Sequence, residues 1–346
     1  MSADRLGFGV IGTGMAATPH ARALCDLSDR IDVRGVFSRN EQKREAFAAE
    51  FGFPPADSIE AIAGDPDIDA VILITPPNQR LDLVRIFAGA GKHILMEKPV
   101  ERTTEAAEEI VRICEANGVR LGIVFQHRFR EASLKLRSLI DEGALGDIGL
   151  VRASVPWWRE QSYYDEPGRG TYERDGGGVL ISQAIHTLDL MLSLTGPVAE
   201  VQAVSATTRF HEMESEDFVA GGMRFAGGFP GSVMATTAAY PGDAESITLD
   251  CDKASAHLQS GVLTVNWRDG RVDQFGETGG TGGGADPMAF PHGWHQDLIA
   301  DFADAVRENR EPGVPGREAF NVHRLIDALV LSSRERRAVE IEISTS

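Results

Sequence analysis

In the first third of the chain, short apolar runs alternate with amphipathic stretches. Residues 6–11 read as a strand, 15–27 as a helix and 31–37 as a second strand. Asn40 is placed to cap the next helix, 41–51, and Gly52 to end it in the C′ position. Residues 70–74 form an unbroken apolar run, as a strand covered on both faces requires. A helix over 79–90, a strand over 93–96, a helix over 104–117 and a strand over 119–125 follow. Strand, helix and strand in repetition predict parallel pairing and a doubly wound α/β sheet.

The rhythm changes after residue 126. Helices are expected over 133–142 and 179–194, and the rest is strand-like: 148–156, 198–208, 218–225, 231–239, 246–249 and 262–267. Consecutive strands without intervening helices predict an α+β domain with an antiparallel or mixed sheet. Helices over 295–308 and 317–334 close the chain. The run Gly279-Gly280-Thr281-Gly282-Gly283-Gly284 has no strand leading straight into it, so it reads as a mobile loop rather than a phosphate cradle. No internal repeat is visible. The expected division is residues 1–125 as a nucleotide-binding domain and 126–346 as a second domain.

Composition narrows the function classes. The chain has 346 residues, 42% of them hydrophobic and 25% charged, ordinary for a globular protein of about two domains. A formal charge of -18 argues against nucleic acid or an anionic membrane surface as partner. Cys25, Cys114 and Cys251 lie far apart and include no CxxC pair, which fits a reducing compartment and argues against a disulfide framework. Residues 1–5 run directly into the first strand without an apolar leader, and no run approaches the roughly 18 apolar residues of a membrane span. The expectation is a soluble cytoplasmic protein.

Candidate chemistry begins at Gly12-Thr13-Gly14-Met15-Ala16-Ala17, which fits G-x-G-x-x-A between a strand and a helix. Gly12 permits the tight turn, Gly14 lets the main chain approach a pyrophosphate, and the small Ala17 lets helix and strand pack closely. The helix that starts there aims free N–H groups at the phosphates. Beyond the second strand, NAD enzymes usually carry an acidic residue for the ribose 2′-hydroxyl. Ser38 and Arg39 stand there instead, with Lys43 nearby, and suit a 2′-phosphate. NADP is therefore favoured over NAD, with Glu41 leaving NAD open.

Gly91-Lys92-His93-Ile94-Leu95-Met96-Glu97-Lys98-Pro99 then resembles the Gfo/Idh/MocA family, that of glucose–fructose oxidoreductase and inositol dehydrogenase. Thr75-Pro76-Pro77-Asn78, Phe125-Gln126-His127-Arg128-Phe129, the stretch from Gly176 to Asp189, and Val314-Pro315-Gly316-Arg317-Glu318 agree with it. The resemblance implies a Rossmann domain followed by a domain with a large open, mostly antiparallel sheet. One side of that sheet would carry substrate, and the other would pair subunits into a homo-dimer or homo-tetramer. It implies cofactor contacts from Gly12, Thr13, Gly14, Met15, Ala16, Ser38, Arg39, Thr75, Pro76, Asn78, Glu97, Lys98, Gln126 and Arg128. It also puts Lys98 at the nicotinamide end, where a lysine can hydrogen-bond the reacting hydroxyl.

The family's second catalytic position is D-x-x-x-H on the long helix, whose i, i+4 spacing puts both side chains on one face. His186 matches; Ser182 stands where the Asp is expected and cannot hold a negative charge beside the base. His186 is then the general base without that acid, which an imidazole of near-neutral pKa can be. Asp189, three residues on, shares the face and can orient His186 or bind a substrate hydroxyl. Arg80 stands where the family often has His, and is expected to affect packing near the cofactor more than the reaction.

On the substrate side, Trp157-Trp158-Arg159 and Tyr163-Tyr164 suit a sugar, with ring faces against C–H surfaces and polar tips on hydroxyls. About half of these aromatics are expected to seal the domain core. Arg169 and the glycines before the long helix are candidates for the pocket wall, and His295 for reaching the site from the late helix. His292 and His295 lack a nearby carboxylate or thiolate set in sequence, so no metal is expected. Three functions remain open: an NAD(P)-dependent dehydrogenase of a sugar, polyol or sugar derivative; a glycosidase using tightly held NAD for transient oxidation; and a catalytically silent dinucleotide-binding sensor.

Overall fold

The computed structural model describes residues 5–277 and 291–343. They fall into two units. One holds the chain up to Gln126 together with Pro291–Phe320; the other holds His127–Phe290 and Asn321–Ser346.

In the first unit, β1 (Leu6–Ile11), β2 (Ile31–Phe37), β3 (Ala70–Leu73), β4 (His93–Glu97) and β5 (Leu121–Val124) form a parallel sheet in the order β2-β1-β3-β4-β5. All four residues of β3 and of β5 are buried, which is why both runs are apolar without alternation. The strand order reverses between β1 and β3, and open α/β sheets bind ligands outside the carboxyl ends of their strands at such a point.

Helices α1 (Ala17–Asp26), α2 (Glu41–Phe51), α3 (Ile59–Gly64), α4 (Arg80–Gly89) and α5 (Thr104–Ala116) belong to the same unit. The Asn40 side chain accepts from Lys43 N at 2.9 Å, and Gly52 closes α2 with φ 72°. The first helix starts at Ala17 rather than at residue 15, because the preceding residues form a turn in which Ala17 N–H donates to Gly14 O at 2.9 Å. Helix α3 escaped the periodicity reading because its six residues are too few to show a stripe.

Helices α6 (Glu131–Asp141), α7 (Gln161–Tyr164) and α8 (Ile185–Thr195) lie in the second unit, and α9 (Gly293–Glu308) returns to the first. Residues 291–320, expected in the second domain, therefore belong with the Rossmann sheet. The cause is an apolar stripe on α9. His295, Leu298, Ile299, Phe302 and Ala303 are buried at helical spacing, and Phe302 meets Phe8 of β1 edge-on at 6.4 Å. Helix α10 (Gly316–Glu335) begins in the first unit and continues into the second.

Among the described residues, the second unit is built on nine strands: β6 (Ile148–Pro156), β7 (Val198–Ala206), β8 (Phe218–Phe225), β9 (Pro230–Thr236), β10 (Ser246–Cys251), β11 (Ala254–Gln259), β12 (Val262–Trp267), β13 (Val272–Phe275) and β14 (Val339–Glu340). Their order is β13-β12-β11-β10-β6-β9-β8-β7-β14, with β6 and β9 parallel and every other pair antiparallel. Helices α6 and α8 pack on one face. Strands β11 and β13 went unread because Ala254–Gln259 alternates small with polar residues and Val272–Phe275 has only two apolar ones, a weak signal for half-buried strands.

The expected helix over 179–194 opens with a π-helical turn, Leu180–Ala184, before α8. The glycine run at 279–284 lies outside the described residues. Among the described residues no helix is long and apolar enough to cross a membrane, and all three cysteines are free thiols.

Candidate functional site

The first unit gathers its candidate residues at the carboxyl ends of its strands. Gly12 follows β1 with φ +108°, and a Cβ there would lie 2.9 Å from Ile74 O, so only glycine fits. Around a Cβ at Gly14 nothing lies within 4 Å, which leaves the outer side of the turn open to a close-fitting ligand. Met15 is exposed, and Ala16 caps α1 without a side-chain bond or an acidic residue in the first turn. Ala17 N–H is taken by Gly14 O and Pro19 has no N–H, so this end offers an anion the remaining N–H groups of the turn and of Thr18.

Half-buried Ser38 and exposed Arg39 lie just beyond β2. Past β3 come Thr75 and Pro76, then a 3-10 turn, Pro77–Gln79, that exposes Asn78. Gln126, 6% exposed, follows β5. Thr13 Oγ1, Thr75 Oγ1 and Gln126 Oε1 are buried without a hydrogen-bond partner. Buried polar atoms are nearly always paired. Three orphans among these strand-end residues fit the hydroxyls, phosphates and carboxamide of a nicotinamide dinucleotide.

Glu97 ends β4 and Lys98 follows it through a turn whose Lys98–Pro99 peptide is cis. The Glu97 carboxylate accepts from His20 Nε2 at 2.8 Å and from Lys98 N–H at 3.2 Å. Burial alone would raise the Glu97 carboxyl, but the His20 hydrogen bond and the nearby positive groups outweigh it and hold the carboxyl well below the usual carboxylate range. Arg80, 2% exposed, is the first residue of α4. It donates to Thr75 O at 3.0 and 2.8 Å, to the carbonyls of Glu97 and Pro99, and towards Lys98 O at 3.4 Å.

His295 stands in this unit as well, 2% exposed, its ring edge-on to His20 with centroids 4.8 Å apart. Burial pushes its imidazole down to about 3, with help from His20 and against the pull of Glu97. The expectation that the late histidines lack carboxylates is corrected here. Folding brings Glu97 to the His20–His295 pair and Asp26 within 2.7 Å of His292. One ligand atom each from His20, Glu97 and His295 lie within 4.8 Å of one another. Tetrahedral ligands at about 2.0–2.1 Å from a metal sit roughly 3.3 Å apart. A His20–Glu97 contact of 2.8 Å is closer than that, and His20 Nδ1 lacks the outer partner that metal-bound histidines keep. The His20–Glu97 contact is a hydrogen bond, and His295 packs edge-on against His20.

In the second unit His186 lies in the first turn of α8, 8% exposed, and stacks on His127 with centroids 4.7 Å apart. Arg130 Nη2 donates to His127 Nε2 at 2.5 Å, so that nitrogen carries no proton, and Arg130 is itself paired with Glu245 at 2.8 Å. Ser182 lies within the π turn. The i, i+4 argument for a shared face presumes 3.6 residues per turn, which does not hold there. Asp189, 2% exposed, binds Arg128 through two bonds of 2.7 and 2.6 Å. That engagement of both charges was not expected of a substrate-binding Asp and a cofactor-binding Arg.

The aromatic segment divides as anticipated for about half its members. Trp157 is buried, and Tyr164 is buried with its hydroxyl 2.6 Å from Thr237 Oγ1, where burial pushes the phenol up. The Tyr163 hydroxyl accepts from Arg169 at 3.1 Å and from Gln183 at 3.2 Å. The buried Arg159 guanidinium lies 5.2 Å from the Trp157 ring centre and 5.7 Å from that of Tyr163, a cation–π pair of contacts.

Comparison with known proteins decides the family. Residues 6–125 match a model described as an oxidoreductase family with an NAD-binding Rossmann fold, GFO/IDH/MocA, and residues 133–257 match the C-terminal domain of the same family. The chain belongs to the Gfo/Idh/MocA oxidoreductases. One relative is the scyllo-inositol 2-dehydrogenase (NADP(+)) IolW of Bacillus subtilis, 24% identical over 98% of this chain and 97% of its own. Another is the inositol 2-dehydrogenase of Rhizobium meliloti, 30% identical over 58% of this chain and 57% of its own. Among solved structures, the WlbA dehydrogenase from Bordetella pertussis in complex with NADH and UDP-GlcNAcA is 28% identical. It covers 98% of this chain and 100% of its own, with a TM-score of 0.82.

For this Gfo/Idh/MocA protein, several supporting residues lay outside the sequence reading. His20, Arg130, Glu245, His211, Asp217 and Glu216 are polar, buried and paired, all but the His211–Asp217 pair across long stretches of chain. His211 and Asp217 are 2.7 Å apart, and His211 also meets Arg159 O at 2.9 Å, tying down the aromatic segment. The Glu216 carboxylate accepts from Gly178 N at 3.3 Å and Leu180 N at 3.2 Å at the start of the π turn before α8, and burial raises it. A local signal existed only for His20, which faces inward on a helix whose motif had already been read.

Proposed function

We propose that this Gfo/Idh/MocA oxidoreductase is an NAD(P)-dependent dehydrogenase that oxidises a hydroxyl of a sugar, polyol or sugar derivative. The observation that carries the reading is the row of unpartnered polar atoms, Thr13 Oγ1, Thr75 Oγ1 and Gln126 Oε1, among the strand-end loops that also carry the Gly12–Gly14 turn and Lys98. Main-chain N–H groups from Gly14 onward and the start of α1 would hold the pyrophosphate. Ser38 and exposed Arg39 would hold the adenosine ribose, and they favour its 2′-phosphate, hence NADP. IolW, named for NADP(+), supports that preference.

When bound, the nicotinamide supplies the acceptor for the hydride that leaves the carbinol carbon. Lys98 hydrogen-bonds the reacting hydroxyl and stabilises the charge that develops as its proton departs. His186 takes that proton on its imidazole and passes it to water. Stacking on His127, which Arg130 and Glu245 hold in turn, fixes the plane of the ring. Arg159, Tyr163 and their aromatic neighbours cover the sugar. Inositol dehydrogenases among the relatives, and a solved dehydrogenase in complex with UDP-GlcNAcA, support a polyhydroxylated substrate. A homo-oligomer assembled through the sheet face opposite α6 and α8, where Val204 is 64% exposed, belongs to the same reading.

The test is a panel of sugars, sugar acids and inositols with NAD and with NADP, followed by the absorbance of the reduced ring. Accumulating reduced cofactor with at least one polyol is expected, with a lower KM for NADP. Lys98→Ala should lower kcat by about 10²–10⁴-fold while cofactor binding survives. Turnover without accumulating reduced cofactor would instead indicate transient oxidation, and binding without turnover on any member would indicate a sensor.

A further inference from the structure

The Arg80 side chain is buried, yet none of its recorded hydrogen bonds goes to a carboxylate. They go to main-chain carbonyls: Thr75 just past β3, and Glu97, Lys98 and Pro99 at the end of β4. Strands β3 and β4 are in register up to Leu73 and Met96. Beyond that pair the ladder ends and the two chains diverge into loops. A carbonyl buried there without a donor is destabilising, so the loops require a partner. Arginine supplies five N–H donors in one rigid plane, whereas lysine offers three on a compact head and a neutral histidine one.

We infer that Arg80 is a positioning residue of the reaction, whose guanidinium fixes the main chain on both sides of Lys98 and ties it to Thr75. Holding the carbonyls of Glu97 and Pro99 leaves Lys98 little backbone freedom, so its ammonium is presented from a fixed Cα. The buried cation is balanced by the negative charges of Glu97 and Glu101, and burial brings its guanidinium down to about 10, still charged at neutral pH. Arg80 is thus more than a packing substitution near the cofactor.

The inference rests on Lys98 acting at the reacting centre, and the experiment separates the two. Arg80→Gln, Arg80→Lys and Lys98→Ala are compared in the full-length protein for kcat, KM of both substrates, cofactor Kd and melting temperature. Displacing a catalytic group by about 1 Å costs roughly 10²-fold in rate. Arg80→Gln is therefore expected to lower kcat by about 10²-fold and Arg80→Lys by about 10-fold, with cofactor Kd changed by less than about 3-fold. A purely structural residue would lower melting temperature or raise Kd without that selective fall in kcat. If Arg80→Gln fails to fold, Arg80→Lys decides. Native kcat in a folded Arg80 variant, or folding lost in both, overturns the positioning role while an inactive Lys98→Ala leaves the dehydrogenase reading standing. Native kcat in Lys98→Ala overturns that reading and the inference with it.

Discussion

The two units build their candidate sites from different material. In the first, the contacts are largely main chain: a glycine turn, the open N-terminus of α1, and carbonyls gripped by Arg80. In the second, they are side chains locked in pairs: Arg128 with Asp189, Arg130 with Glu245, His211 with Asp217. A main-chain site accepts whatever carries the right phosphates and can serve many substrates. A paired side-chain site is shaped by its partners, so specificity concentrates there and so does the cost of damage.

The largest expected effect follows from that cost. Arg128 and Asp189 have side chains only 11% and 2% exposed, so removing one charge takes from the other its two-bonded ionic partner in a buried setting. Breaking a buried pair typically costs 3–5 kcal/mol, whereas replacing both partners with apolar residues of similar volume is often neutral. Asp189→Asn should therefore lose about 3 kcal/mol by denaturant titration, and Arg128→Met with Asp189→Leu should recover most of it. If the double variant is as unstable as the single one, the second site is not organised by that pair.

The same difference explains what could be read in advance. Gly12 and Gly14 sit two residues apart, and their meaning depends on the strand and helix beside them, so the turn was legible. Arg128 and Asp189 are 61 residues apart, Arg130 and Glu245 115, and no local pattern links them. His295 was read on its own helix without Glu97, because only folding joins α9 to β4. The parallel sheet was legible from continuous apolar runs. The half-buried strand β11 and the π turn before α8 were not, since alternating small and polar residues carry little signal and a π turn reads as ordinary helix.

The two glycines sharpen the comparison from the main-chain side. Gly12→Ala forces a Cβ to 2.9 Å from Ile74 O at φ +108°, so a loss of about 1–3 kcal/mol and weaker cofactor binding are expected together. At Gly14 the added methyl meets nothing within 4 Å, so Gly14→Ala should keep its stability within about 0.5 kcal/mol. It should still weaken cofactor binding, because the methyl occupies the side the pyrophosphate approaches. Unchanged cofactor Kd in Gly14→Ala would remove the main-chain cradle from the account.

A pH-dependent effect tests the side-chain cluster of the first unit. In the native state His295 is held at about 3, first by burial, against about 6.5 when unfolded. Between those values the unfolded chain binds a proton that the native one does not, so stability falls as pH drops from 6.5 towards 3. Glu97, held low chiefly because the His20 hydrogen bond overcomes its burial, acts in the same direction but only below its ordinary range near 4.5. From pH 7 to pH 5, then, His295 contributes alone of the two, with a loss of about 2 kcal/mol. His295→Gln should flatten the urea midpoint over that interval relative to the unsubstituted protein. If both fall equally, the imidazole is not kept neutral by its surroundings, and the His20–Glu97–His295 cluster has no electrostatic part in holding α9 to the Rossmann sheet.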